Sequence, residues 1–166
     1  MLFETIGLFL VERLYHFLPR WLERRMLPPA RVQQEIDVDL RRLSPVNVSG
    51  GEVPSVNLWF EITNRSQIVI TLDRLLLEVW FGQPTFRGAV LNRIEIQPRS
   101  TTKEAVYFWT PLDAQQVAQI KRYLDSGTPG NPVAITADIS AYFVSRLGWL
   151  KVDRHLNETN VRRVGI

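Results

Sequence analysis

The stretch VNLWFEITNRSQIVITLDRLLLEVWFGQ, residues 56–83, decides the fold because its apolar residues recur at every second position. From Val56 to Ile62 this alternation has the period of a half-buried β-strand, in which successive side chains point to opposite faces. Asn64-Arg65-Ser66 follows as a compact turn, and a second alternating run begins at Ile68. The stretch therefore predicts two antiparallel strands joined by a short turn.

The second of these strands contains a phase change. Its apolar positions are even-numbered up to Leu72 and odd-numbered from Leu75 onward. In a regular strand such a slip would send every later side chain to the wrong face of the sheet. The pattern therefore predicts a β-bulge at Asp73-Arg74.

Alternation of the same kind continues on both sides of this stretch. It indicates strands at 36–40, 102–109 and 133–145, a terminal strand within 149–164, and short strands between turns at 82–84, 87–88 and Pro98. Residues 44–54, SPVNVSGGEVP, are interpreted as a turn because of their Gly, Pro, Ser and Asn content.

One helix interrupts the series of strands. Leu112, Val117, Ile120 and Leu124 recur at helical spacing, Asp113 stands near the start, and SGTPG at 126–130 is the stop. Residues 30–166 are therefore predicted to form one mainly β domain. Its expected fold is a seven-stranded antiparallel immunoglobulin-like sandwich with one late helix.

The first 29 residues, MLFETIGLFLVERLYHFLPRWLERRMLPP, have a helical pattern instead. Glu4, Glu12 and Arg13 are too many charges for a membrane-spanning helix, and the acidic start disfavours a signal peptide. On a helical wheel the segment is amphipathic. Its candidate binding residues are an apolar face and a basic cluster: Leu10, Leu14, Phe17, Leu18, Trp21, Arg20, Arg24 and Arg25.

This segment, residues 1–29, is expected to lie on an anionic membrane surface without crossing it, at the cytoplasmic face. Apolar bulk, a tryptophan and a basic cluster together suit a helix in the headgroup plane. Amphipathicity reports only one apolar neighbour, so packing against a partner protein or against the chain's own domain stays open.

Composition removes several classes of chemistry. The 166 residues contain no cysteine, which excludes disulfides, thiolate metal sites and cysteine nucleophiles. The two histidines and the lack of Walker, G-x-S-x-G or G-x-G-x-x-G motifs give no sign of a metal, a cofactor or a catalytic centre. The net charge is +3, but the arginines are interleaved with acids, so nucleic-acid binding is not expected.

Three further patterns can be interpreted either as binding features or as ordinary structural features. Asp37 and Asp39 share one strand face and are read as a solvated edge rather than a cation site. Trp59, Trp80, Trp109 and Trp149 are consistent with a stacking platform for sugars or bases, although sandwich cores and rims also use tryptophan. The sequons at Asn47, Asn64 and Asn157 are interpreted as turns.

Residues 56–83, IEIQPRSTTKEAVYF at 94–108 and VAITADISAYF at 133–143 together resemble the group-two late embryogenesis abundant family, also called the water-stress and hypersensitive-response domain. Arg65 stands where the family's Asn-Pro-Asn-like turn has proline. The likeness covers about residues 32–164. It implies a seven-stranded sandwich with a late helix, a frequent N-terminal membrane tether, no established catalytic centre, and protective, lipid-binding or docking roles.

Two functions are expected from these observations. The first is a non-enzymatic, peripheral membrane-associated binding or stress-protective module. The second is an accessory structural subunit whose N-terminal helix docks into a larger protein assembly. The partner is accordingly a membrane surface or another protein, and no cofactor is expected.

Overall fold

Two β-sheets packed face to face form the molecule in a computed structural model, which describes residue 25 and residues 27–102, 106–128 and 130–165. Most of the predicted N-terminal helix, residues 1–24, lies outside the described residues. The elements in chain order are α1 (Pro29–Gln34), β1 (Ile36–Leu40), β2 (Val46–Ser49), β3 (Ser55–Asn64), β4 (Ile70–Trp80), β5 (Thr85–Val90), β6 (Ile94–Ile96), β7 (Ser100–Thr101), β8 (Val106–Pro111), α2 (Ala114–Asp125), β9 (Ile135–Ser145), β10 (Gly148–Glu158) and β11 (Val161–Val164).

The first sheet is organised around β3. Along one edge of β3, β1 pairs with its C-terminal half and β2 with its N-terminal half, both antiparallel. β7 and β8 divide the opposite edge in the same way. β11 joins outside β2 as a parallel strand, with Val161 opposite Val46 and Val164 opposite Ser49.

The second sheet has the order β10–β9–β4, with β5 and β6 sharing the outer edge of β4. The register between β4 and β9 shifts between Leu72 and Arg74, which leaves Asp73 as the extra residue. The bulge predicted from the phase change is confirmed. It allows Leu72 and Leu75 to be buried on the same face although they are three positions apart.

The core lies between the two inner sheet faces. Phe60 on β3 and Ile139 on β9 are both buried, as the strand alternation predicts. The largest fully buried side chains come from both sheets and from α2: Phe60, Phe81, Phe143, Ile36, Leu58, Ile62, Ile70, Leu72, Leu75, Ile96, Ile120 and Leu124. This shared core confirms the mainly β sandwich and the late helix.

The helix α2 begins where the sequence places it. Asp113 is the N-cap, and its carboxylate accepts a hydrogen bond from the Gln116 backbone N–H at 2.7 Å. The Gln116 side chain accepts from the Asp113 N–H at 2.8 Å, which completes a capping box. Ile120 and Leu124 are buried against the sandwich.

The strand count differs from the predicted seven antiparallel strands. The described residues form eleven segments, and because three pairs of segments share an edge they occupy eight strand positions, one of them parallel. Residues 149–164 contain two strands rather than one: β10 ends at Glu158, and β11 crosses to the other sheet. The supposed turn at 44–54 contains β2, whose Val46 and Val48 are buried.

The turn after β3 is held by the buried side chain of Asn64. Its amide nitrogen lies within hydrogen-bonding distance of the carbonyls of Ile68, Ile96 and Gln97, at 2.8, 3.3 and 3.1 Å. Its Oδ1 accepts from the Ser66 hydroxyl at 2.6 Å. Asn64, the asparagine of the Asn64-Arg65-Ser66 sequon, is therefore a structural residue that is inaccessible to glycosylation.

Candidate functional site

Three side chains from neighbouring strands form a row on the solvent face of the second sheet. Tyr142 of β9 lies directly between Arg74 of β4 and Lys151 of β10 in the strand register. The Arg74 Cζ is 4.5 Å from the centre of the Tyr142 ring, and the Lys151 Nζ is 5.8 Å from it. Both cations are thus close enough to interact with the π-system of one tyrosine.

The row borders a shallow groove of about 440 Å³. Gln33 of α1 forms one side of this groove, and Trp149 and Leu150 at the start of β10 form another. Trp149 is 63% exposed, which makes it one of the most exposed large hydrophobic side chains in the described chain. The Tyr142 groove, as we call it, thus combines two cations with an exposed indole.

The two cations differ in their partners. The ammonium of Lys151 lies 2.9 Å from the Asp153 carboxylate, and this hydrogen bond raises the pKa of Lys151. The same contact, together with a hydrogen bond donated by Ser140, lowers the pKa of Asp153. Arg74, by contrast, donates to no carboxylate of the described chain. Its guanidinium fork is free to bind an anion, for which its geometry is suited.

The bulge in β4 contributes to this arrangement. Asp73, the extra residue, lies next to Arg74 but directs its carboxylate to Arg93, at 3.4 Å. Arg74 occupies the position opposite Tyr142 instead. Bulges are found next to functional sites because they re-aim side chains in this way.

The Tyr142 groove lies at the end of the sandwich where the N-terminal part of the chain arrives. This end, which we call the α1 end, carries α1, the turn after β3 and the β9–β10 hairpin at residues 146–147. Leu27, just before α1, is only 5% exposed and belongs to the core cluster. Of the described residues before β1, Leu27 thus packs into the core and Gln33 lines the groove.

The predicted membrane- or partner-binding residues fall almost wholly outside the described residues. Arg25 is described and is exposed. The rest lie in the undescribed segment: Leu10, Leu14, Phe17, Leu18, Arg20, Trp21 and Arg24. Their assignment to a binding face stays a prediction. None of the described helices is long and apolar enough to span a membrane.

Sequence reasoning did not single out Arg74, Tyr142 or Lys151. The phase change at Asp73-Arg74 indicates the bulge in β4, but it does not indicate a binding site. Strand register decides that these three residues are neighbours. The β9–β10 hairpin pairs Tyr142 with Lys151, but no local pattern of the sequence reveals the register that places Arg74 of the distant β4 beside them. Trp149 was noted only as one of four tryptophans suited to stacking.

Two other charged clusters of the described chain have structural roles. Asp37 lies between two arginines, 2.5 Å from Arg65 and 3.2 Å from Arg154, so its charge is already compensated. Arg163 contacts Asp125 at 2.6 Å and thereby ties β11 to α2. Within the described residues, no group of three or more histidine or acidic side chains is placed to hold a metal ion.

Comparisons with known proteins give structural likenesses only. No protein-family model matches the chain, and no curated protein matches its sequence. A crystal structure of a protein from Archaeoglobus fulgidus is 11% identical, with a TM-score of 0.42 over 75% of this chain and 94% of that chain. A solution structure from the late embryogenesis abundant group is 10% identical, with a TM-score of 0.43 over 76% and 72%.

A sporulation control protein from Bacillus subtilis is 12% identical, with a TM-score of 0.34 over 77% of this chain and 49% of that chain. One of these neighbours is thus described as a late embryogenesis abundant protein, the wider class to which the resembled family belongs. At these values the likenesses carry no argument about function, and no sequence match assigns the chain to that group.

Proposed function

We propose that the protein is a non-enzymatic module that binds the surface of anionic membranes, with its α1 end toward the lipid. The observation that carries this proposal is the Tyr142 groove, where Arg74, Lys151 and exposed Trp149 lie beside the entry of the N-terminal segment. Kinship with the group-two late embryogenesis abundant family and a protective role under water stress belong to the same proposal.

The groove has the chemistry of a lipid headgroup site. A guanidinium with unused donors and a nearby ammonium suit a phosphate or carboxylate. An indole beside them suits the membrane interface, where tryptophan places its ring among headgroups. Each cation near an anionic surface contributes about 1 kcal/mol, so the groove alone supports only weak attachment.

The N-terminal segment supplies the stronger part of the attachment in this proposal. Its predicted apolar face includes Leu10, Leu14, Phe17 and Trp21, and each buried large side chain is worth about 1.5–3 kcal/mol. Arg20, Arg24 and Arg25 add attraction to anionic lipid. The segment and the groove then meet the same surface because the chain joins the sandwich beside the groove.

Co-sedimentation of the full chain with vesicles tests this proposal. The protein is expected to pellet with vesicles that contain phosphatidylserine and much less with pure phosphatidylcholine. Phe17→Glu combined with Trp21→Glu should release it, and Arg74→Gln with Trp149→Ala should weaken binding at low salt. Trp109→Ala is the matched control, since Trp109 is an exposed tryptophan on the other sheet.

Absence of lipid-dependent pelleting with either vesicle would contradict the proposal. In that case, recovery of a discrete hetero-complex from native extraction, lost in the Phe17→Glu/Trp21→Glu variant, would support the second function: an accessory subunit docked through its N-terminal helix.

A further inference from the structure

The solvent face of the first sheet carries a second cluster of aromatic side chains, remote from the Tyr142 groove. Trp59 of β3 lies opposite Tyr107 of β8 in the strand register, and Trp109 follows two residues later on β8. Tyr107 is 44% exposed and Trp109 is 47% exposed. We call these three residues the aromatic face. Since the outer faces of a sandwich point in opposite directions, this face and the groove are separate sites.

Polar contacts hold the aromatic face in place. The Trp59 and Tyr107 rings are 5.4 Å apart between centroids and are tilted by 40°. The Arg41 guanidinium lies 4.9 Å from the Trp59 ring and donates through Nε to the Leu43 carbonyl at 2.8 Å. The Tyr107 hydroxyl donates to Oδ1 of the buried Asn57 at 2.5 Å. The Trp59 and Tyr107 rings are therefore fixed before any ligand arrives, which reduces the entropic cost of binding.

Neutral hydrogen-bonding groups surround the rings, and some of them have capacity left. Neither the Trp59 nor the Trp109 indole N–H donates to a residue of the described chain. Aromatic rings with free polar donors offer an uncharged polar ligand both an apolar surface and hydrogen bonds.

The charges on this face do not favour a polyanion, because two carboxylates accompany the single Arg41 guanidinium. Glu61 lies two residues beyond Trp59 on β3, and Asp39 is its cross-strand neighbour. A phosphodiester backbone along the sheet would meet these carboxylates, whereas nucleic-acid surfaces present excess positive charge. A neutral ligand with flat apolar faces and many hydroxyl groups fits the aromatic rings, their free indole N–H groups and the charges of this face.

We infer that the aromatic face binds neutral oligosaccharides, with sugar rings stacked on Tyr107 and Trp109. These two residues are two positions apart on one strand, which places their backbones about 7 Å from each other and on the same side of the sheet. An extended oligosaccharide can therefore contact both rings with successive sugars. The tyrosine hydroxyl and the indole N–H groups are the hydrogen-bonding partners of its hydroxyl groups.

Nuclear magnetic resonance of the tryptophan indole N–H signals tests this inference on the full chain. Cellohexaose, laminarihexaose and xylohexaose are the probes, each titrated separately. At least one should shift the Trp59 and Trp109 signals saturably and leave the Trp149 signal in place. Trp109→Ala should weaken binding about tenfold or more, the change that corresponds to about 1.4 kcal/mol. Trp149→Ala, the matched control, should bind as the wild type does.

Three results would overturn the inference. The first is the absence of any saturable indole shift with all three probes. The second is a binding constant in Trp109→Ala equal to that of the wild type, because the sugar would then sit elsewhere. The third is a Trp109 shift that depends on protein concentration alone, which would make the face a self-association surface. Retained one-dimensional methyl signals in both variants show that they are folded.

Discussion

The side-chain amide of Asn64 donates to the backbone carbonyl of Ile68 at 2.8 Å, across the turn that joins the two sheets. The same nitrogen lies within reach of the carbonyls of Ile96 and Gln97 at the end of β6. One buried side chain thus connects the end of β3, the start of β4 and the end of β6. We therefore expect the hydrogen bonds of Asn64 to stabilise the α1 end of the sandwich.

Asn64→Ala should lower the free energy of unfolding by about 3 kcal/mol. The change leaves buried carbonyls without their donor, and such a loss costs about 1–3 kcal/mol. Urea denaturation followed by circular dichroism measures it. Asn157→Ala is the control because Asn157 is exposed on β10, and it should change stability by less than about 0.5 kcal/mol. Equal effects of both substitutions would contradict the structural role of Asn64.

Core substitutions should separate the two faces of the strands. Phe60→Ala and Ile139→Ala should each cost about 2–5 kcal/mol, since both side chains are buried and their loss leaves a cavity. Glu61→Ala, on the solvent side of β3, should cost less than about 0.5 kcal/mol. Chemical denaturation of the three variants provides the comparison. Small and similar effects at all three sites would mean that the strand phase is wrong.

Gly88→Ala should destabilise the protein by about 1–3 kcal/mol, because a Cβ at this position would overlap the Phe108 ring. Phe108→Leu in the same chain should recover part of the loss. Gly130→Ala is the matched control: nothing lies within 4 Å of its added Cβ. Thermal denaturation compares the variants, and an undiminished midpoint for Gly88→Ala would argue against this close contact between the sheets.

The burial of Leu27 predicts that two N-terminal truncations differ in stability. A chain that starts at Ala30 should fold into a β-sandwich, but it lacks Leu27, whose burial is worth about 1.5–3 kcal/mol. A chain that starts at Arg25 should keep that contribution. Circular dichroism and thermal melting of both chains test the domain boundary. Aggregation of both chains without a cooperative transition would show that residues 30–166 do not form an independent unit.

Asp153→Asn should strengthen binding to phosphatidylserine vesicles about fivefold at low salt, if the groove faces the lipid. The substitution removes one negative charge and frees Lys151, and a charge near an anionic surface is worth about 1 kcal/mol. Asp125→Asn, which removes a carboxylate bound to Arg163 at the opposite end, is the control. The gain should disappear as salt is raised, because exposed charges are screened over about 10 Å at 0.1 M.

Local patterns of the sequence predicted much of the fold. The alternation in β3 and β9, the bulge at Asp73 and the capping residue Asp113 all depend on neighbours along the chain. Gly88 shows the limit of such patterns. It was interpreted as part of a turn, but it lies within β5, where the absence of a side chain lets the Phe108 ring approach.

The candidate sites were harder to predict than the strands. Tyr142 and Lys151 face each other in the β9–β10 hairpin, but Arg74 is far away in sequence and joins them only through the pairing of β4 with β9. Trp59 and Trp109 are brought together in the same way by β3 and β8. Residue types suited to stacking were visible in the sequence, but the choice of which tryptophans share a face depends on long-range register.

The parallel pairing of β11 with β2 has a mechanical consequence. At the C-terminal side of the domain, Val164 lies beside Ser49, and Ser49 pairs with Ser55 at the start of β3. At the N-terminal side, α1 leads into Ile36, which pairs with Asn64 at the end of β3. The ten residues of β3 thus separate the two termini of the domain by about 30 Å. Tension applied between them runs along the strands and loads the β2–β11 ladder in shear, so that its hydrogen bonds must break together rather than unzip one by one.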